Sequence, residues 1–201
     1  MEQGFLDLLS ARKGHFRLES GYHGGLWLDL DPLFVVPGRT KPFVEALAER
    51  LKWHNIEAVC GPLVGGAFLA QAIAAILGVE FYYAERFAPD VPDAGTSTLY
   101  PVEYRIPVGV SGMLRGKAVA VVDDAISAGS AVRGTLASLE ANGAKPVAMG
   151  ALLVLGSQAE HFCRERGLAL EYMAQLPYEV WLPTECPLCA SDVALEDPTA
   201  P

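Results

Sequence analysis

The chain has 201 residues, 51% of them hydrophobic and 19% charged, with a formal net charge of -9 at pH 7. That length and apolar content allow one sizeable core and favour a single domain, 1–201. The acidic balance excludes a face built to neutralise a phosphate backbone, which needs clustered Lys and Arg, so no nucleic-acid partner is expected. The first residues, "MEQGFLDLLSARKGHF", lack a basic segment leading into a continuous apolar one, and no apolar run approaches the length of a bilayer span. No membrane partner is expected, and the setting is read as cytoplasmic. Four cysteines, of which Cys60 and Cys163 lie in apolar surroundings, read as reduced thiols rather than a disulfide framework.

In chain order, Phe5, Leu8 and Leu9 predict a short amphipathic helix before Gly14. "HFRLESGYHGGLWLDL" alternates and carries Gly21, Gly24 and Gly25, which predicts two short strands joined by a turn. From Thr40 to Asn55, Phe43, Val44, Leu47, Ala48 and Leu51 share one helical face, with Pro42 in the first turn. Short apolar runs then alternate with helical segments: "IEAVC", "GAFLAQAIAAIL", "VEFYYA", and, after an irregular stretch, "AVAVVD". A helix carrying Val132, Leu136 and Leu139, then "PVAMGALLVL", a helix near 157–166 and "LALEYM" complete the pattern.

Buried strands alternating with helices require an α/β fold, a doubly wound and mainly parallel sheet flanked by helices. Residues 1–39 form a small N-terminal lobe on it, 40–180 the α/β core, and 181–201 a tail rich in Pro, Asp and Ala whose last residues are expected to be mobile.

Ligands of such sheets sit beyond the carboxyl ends of the strands. There "KAVAVVDDAISAGS" places Asp123 and Asp124, followed by the small residues Ala125, Ala128, Gly129 and Ser130 and the hydroxyls of Ser127 and Ser130. Small side chains let an anion reach backbone N–H groups at a helix N-terminus, and the carboxylates suit a ribose diol or a hydrated Mg²⁺. "VCGPLVGGAFLA" repeats the strand, glycine loop and helix one unit earlier, which gives a second anion-receptive loop. Together the two loops describe a sugar-phosphate site.

"VAVVDDAISAGSA" resembles the 5-phosphoribosyl 1-pyrophosphate signature of type I phosphoribosyltransferases. "CGPLVGGAFLA", "YYAER" and "GHFRLESGYHGGLWLDLDPLF" are similar to segments of the orotate branch of that family, where an "SG" turn precedes a short aromatic strand against the base. The resemblance implies a phosphoribosyltransferase that joins the sugar phosphate to a nucleobase, with Mg²⁺ as cofactor and a homodimeric assembly. It assigns Asp123 and Asp124 to the ribose hydroxyls, directly or through Mg²⁺, and Ala125, Ile126, Ser127, Ala128, Gly129 and Ser130 to the 5-phosphate. Pro62, Leu63, Val64, Gly65 and Gly66 would face the pyrophosphate. Arg133 would meet the carboxylate of the base, and Arg86 would open the catalytic loop.

The chain departs from the family from Phe87 to Tyr104, where no Lys, Arg or His occurs and Asp90, Asp93 and Glu103 are acidic; Glu19 before the "SG" turn is a second departure. A phosphoribosyltransferase using another base, and a non-catalytic nucleotide-sensing module that kept the pocket, therefore stand beside the orotate reading.

Four further features belong to no motif. His23 lies in the "SGYHGG" turn, near the expected base or bonded locally. His15, His54 and His161 are dispersed without metal-ligand spacing. "CPLC" has the spacing of half a zinc site and reads as two inert thiols unless two copies of the chain meet. Trp27, Trp53 and Trp181 read as core or interface residues.

Overall fold

The computed structural model describes residues 2–18, 21–30, 32–87 and 103–198. Glu19, Ser20, most of the lysine-free segment (88–102) and the end of the tail (199–201) lie outside the described residues.

The elements follow the predicted order with some shifts. Helix α1 (Glu2–Leu6) is shorter than the periodicity suggests, because the chain turns into strand β1 (Ser10–Arg17), which pairs antiparallel with β2 (His23–Asp29). The register slips by one residue between Lys13 and Phe16, a β-bulge that lets His15 and Phe16 be buried in succession. A short helix α2 (Pro32–Val35) leads to α3 (Pro37–Leu51), which starts earlier than predicted. Pro37 takes the first helical position, where its missing N–H costs nothing, and Pro42 falls inside the helix, with no N–H for the carbonyl four residues back.

Strand β3 (Ala58–Pro62), helix α4 (Gly65–Leu77) and strand β4 (Glu80–Phe87) form one strand–helix–strand unit, with β3 and β4 parallel. A short strand β5 (Glu103–Arg105), not predicted, adds antiparallel to β4, and a single turn α5 (Val108–Ser111) precedes β6 (Ala118–Ile126). Helix α6 (Ser130–Ala141), strand β7 (Lys145–Leu155), helix α7 (Gln158–Arg166) and strand β8 (Ala169–Leu176) complete the core. The tail supplies β9 (Val180–Trp181), which pairs with β2, and one helical turn α8 (Pro187–Ala190).

The main sheet has the order β5-β4-β3-β6-β7-β8, parallel except for β5, and the lobe sheet the order β1-β2-β9. Alternating strand residues feed two cores. Val59, Ala120 and Val122 pack under α3 and α4 with Leu47, Leu51, Leu69 and Ile73, while Ala58, Cys60, Val119 and Val121 pack under α6 and α7 with Val132, Leu136, Leu139 and Cys163. Burial on both faces explains the near-continuous apolar runs. It also pushes the Cys60 thiol far up and the Cys163 thiol to about 11, so both are inert.

Leu47 is fully buried between α3 and the sheet. Leu47→Ala is expected to lower unfolding stability by about 2–5 kcal/mol in urea titration, through lost burial and the cavity left behind; a loss below about 1 kcal/mol would contradict this packing.

Candidate active site

Strand order reverses between β3 and β6: the chain runs from β3 out to β4 on one side and from β6 through β7 to β8 on the other. The loops leaving the carboxyl ends of these two adjacent strands diverge and leave a crevice, the usual ligand position in such sheets. A cleft of about 320 Å³ opens there. Its floor is Pro62–Gly65 after β3 and Asp123–Val132 on β6 and the loop into α6, while Leu18, Leu26, Trp27, Leu28 and Leu30 of the lobe cover it.

The strand continues through the acidic pair to Ile126 rather than ending at Asp123. Asp123 is buried to 9% exposure; its Oδ1 accepts the N–H of Asp124 at 3.0 Å, and Asp124 Oδ1 accepts the N–H of Ala125 at 2.8 Å. These bonds hold the carboxylates facing the cleft. A Cβ on Gly65 would lie 2.2 Å from Asp124 Oδ2, so the glycine is what lets the two loops approach. The Leu63–Val64 peptide beside it is cis.

Gly129 sits at φ +79° as the residue before α6, a conformation that favours glycine, and the first residues of α6 line the cleft. Neither α4 nor α6 has a side-chain cap at its N-terminus, so the donors of both first turns are open to a ligand. The Ser127 hydroxyl oxygen is occluded from solvent and has no hydrogen-bond partner among the described residues. A buried hydroxyl without a partner is costly, and an oxyanion seated in the loop would satisfy it. Among the described lining residues there is no Lys or Arg, so the polar donors that face the cleft are backbone amides and hydroxyls.

The structure thus brings together Pro62, Leu63, Val64, Gly65, Asp123, Asp124 and the whole segment Ala125–Ser130. Gly66 lies just behind, where a Cβ would meet Asp123 Oδ1 at 2.7 Å. It does not bring Arg133 or Arg86 to the cleft: the Arg133 guanidinium lies 4.5 Å over the Phe162 ring, and Arg86 is an exposed residue of β4 paired in register with Tyr104. Arg133 nevertheless follows directly on the lining residue Val132.

Sequence reading missed Tyr104 and Tyr178, which both line the cleft. Tyr104 arrives through β5, a three-residue strand with no periodic signal. Tyr178 donates its hydroxyl to Leu26 O at 2.9 Å, and burial pushes its phenol up to about 12, so it ties the lobe to the core as a neutral donor. Trp27, read as core or interface, lines the cleft instead.

His23 does not line the cleft. Its imidazole is buried against His15, and burial first, then the charges of His15 and Arg17, hold its pKa below the ordinary histidine value. The turn histidine, one of the dispersed histidines and the "CPLC" thiols are not unrelated: His15, His23, Cys186 and Cys189 converge, their ligand atoms all within 4.8 Å of one another. A bulge, a strand pairing and the return of the tail create this cluster, and none of the three has a sequence spacing.

The fold and the cleft define a doubly wound protein whose crevice lies at the switch point, between two loops that each lead into a helix. The model of the phosphoribosyl transferase domain matches residues 41–165, and the chain belongs to this phosphoribosyltransferase family. Curated relatives include the orotate phosphoribosyltransferase of Thermotoga maritima, 30% identical over 92% of this chain and 90% of that protein. The enzyme of the same name from Caldanaerobacter subterraneus is 28% identical over 96% and 93%. Solved structures with the same fold include an orotate phosphoribosyltransferase from Aeropyrum pernix, 24% identical, covering 83% of this chain and 88% of that one, with a TM-score of 0.59. An adenine phosphoribosyltransferase from Thermoanaerobacter pseudethanolicus, 16% identical, covers 88% and 100% with a TM-score of 0.67.

Gly65→Ala is expected to displace Asp124 and weaken phosphoribosyl pyrophosphate binding at least about tenfold by calorimetry, with the circular dichroism spectrum unchanged. Unaltered affinity would mean that the two loops do not enclose the ligand.

Proposed function

We propose that the protein transfers the phosphoribosyl group of 5-phosphoribosyl 1-pyrophosphate to orotate. The bond from the anomeric carbon to the pyrophosphate oxygen breaks with its electron pair leaving on pyrophosphate, and a bond from the same carbon to a deprotonated ring nitrogen of the base forms. The observation that carries this reading is the partnerless Ser127 hydroxyl in a capless helix N-terminus beside the Asp123–Asp124 pair. Relatives of nearly full length that bear the orotate name support the choice of base.

In this reading Ala125–Ser130 hold the 5-phosphate through amides and hydroxyls, and Asp123 and Asp124 hold the ribose hydroxyls. Pro62–Gly66 and the first turn of α4 meet the pyrophosphate. Such a transfer passes through an oxocarbenium-like state, so positioning and water exclusion matter more than a strong nucleophile. Trp27 and Leu28 cover the base and exclude water. The carboxylate oxygens of Asp123 and Asp124 suit a hard divalent cation, so they fit Mg²⁺, held directly or through water. When bound, Mg²⁺ neutralises charge on the pyrophosphate oxygens. Arg133 takes the carboxylate of orotate after leaving the Phe162 ring, a change of side-chain rotamer only.

The partners are small molecules and a second copy of the chain. Exposed Val35, Val64, Phe68 and Ile76, around an apolar groove of about 600 Å³ between α2, α3 and α4, support a homodimer. Among the described residues no helix is long and apolar enough to cross a membrane. Free thiols agree with a cytoplasmic setting. One observation favours a second reading, a nucleotide-sensing module without turnover: residues 88–102 contain no Lys, Arg or His to stabilise departing pyrophosphate.

Pyrophosphate release with Mg²⁺ and phosphoribosyl pyrophosphate, compared across orotate, uracil, xanthine, hypoxanthine and adenine, decides between them. Release with orotate is expected. Asp124→Asn should lower turnover at least about tenfold, and Arg133→Ala should raise the KM for orotate by a similar factor without changing the Kd for phosphoribosyl pyrophosphate. Tight binding without release for any base would favour the sensing module, and an unchanged KM would leave Arg133 as a partner of Phe162 alone.

A further inference from the structure

The His15, His23, Cys186 and Cys189 cluster lies in the lobe, outside the cleft and unused by the transfer. His15 Nε2 stands 3.1 Å from His23 Nδ1, 3.3 Å from Cys186 Sγ and 3.7 Å from Cys189 Sγ, and Cys189 Sγ is 3.3 Å from His23 Nδ1. Ordinary zinc–nitrogen and zinc–sulfur bond lengths in a tetrahedron separate the donor atoms by roughly 3.3–3.8 Å. These four separations lie in or near that range, and all six lie within 4.8 Å, so small side-chain shifts bring the four atoms to the corners of such a tetrahedron.

Hydrogen bonding alone does not account for the cluster. His15 Nδ1 lies 2.8 Å from Val193 O and donates to it, which leaves Nε2 of the neutral ring with one lone pair and no hydrogen. That single lone pair faces three polar atoms, two of them sulfur. A cation at the centre gives each of the four a partner, and the Val193 bond is the outer contact that metal-bound histidines ordinarily make to fix their tautomer.

Local structure aims each donor inward. The β1 bulge buries His15 next to Phe16, and His23 opens β2 opposite Arg17 and Trp181. Cys186 precedes the α8 turn and Cys189 lies within it, the Cys-x-x-Cys geometry that lets two sulfurs converge. Glu196 closes the far side, donating its N–H to His15 O and accepting that of Arg17, both at 2.8 Å. His15, His23 and Cys186 are at most 5% exposed.

We propose that these four residues bind one zinc ion that fastens the C-terminal tail to the N-terminal lobe. Two nitrogens and two thiolate sulfurs are the donor set of structural zinc, and four protein ligands leave no open position for substrate or water, so the site is structural rather than catalytic. Two thiol protons are released on binding. The lobe covers the cleft, so the ion acts on the transfer site only by holding that cover in place.

The test is the metal content of the full chain, purified under reducing conditions and measured by plasma mass spectrometry. About one zinc per chain is expected, retained in His161→Gln, whose exposed ring lies outside the cluster, and reduced at least about tenfold in the Cys186→Ser, Cys189→Ser double variant. Should that variant fail to fold, the wild-type protein serves: chelation should lower its Tm, added zinc should restore it, and cobalt in place of zinc should give the intense visible bands of a tetrahedral thiolate site. Less than about a tenth of a zinc per chain, with no rise in Tm on adding zinc, would overturn the proposal. Zinc content is read without any base or phosphoribosyl pyrophosphate, so its failure and the failure of the transfer reading are distinguishable.

Discussion

The reversal of strand order between β3 and β6 is the constraint on which the rest depends. It sends two loops apart from neighbouring strand ends, so two helix N-termini point into one crevice. An acidic protein can bind a highly anionic ligand there without a basic patch, because the positive charge is supplied by oriented amides rather than by side chains. The carboxylates of Asp123 and Asp124 sit within the same crevice and would repel an anion if they stood free. The backbone N–H groups of Asp124 and Ala125 hold them at fixed positions instead, which suits sugar hydroxyls and a hard cation.

The crevice needs a cover, and the cover is the least locally determined part of the molecule. The lobe is a three-stranded sheet whose third strand comes from the tail, and a sheet of that size is marginal without further attachment. Tyr178 fixes it to the core on one side, the bridge at Glu196 returns the tail to β1 on another, and the histidine–cysteine cluster lies where these segments meet. The two ends of the sequence thus cooperate to form the roof of a site whose floor lies in the middle of the chain.

The floor was legible. Strand positions followed from apolar runs buried on both faces, and the cleft-lining loop from a run of small residues after two acids, because both patterns are imposed by contacts close in sequence. The helix start at Pro37, the added strand β5 and the inclusion of Asp123 and Asp124 within β6 were not, since each is settled by a neighbour brought in from elsewhere. Arg133 shows the limit most directly. Its spacing from the loop puts it on the first turn of α6, but packing, here the ring of Phe162, decides where its guanidinium rests.

By itself the sequence determined the α/β class, the two small-residue loops that lead into helices and the phosphoribosyltransferase likeness, because periodicity and loop composition act over a few residues at a time. Only the tertiary structure decided that the loops share one crevice, that Trp27, Tyr104 and Tyr178 line it, and that two dispersed histidines meet "CPLC". Those outcomes rest on a β-bulge, a strand pairing across some 150 residues and the return of the tail, and no local pattern encodes contacts of that separation.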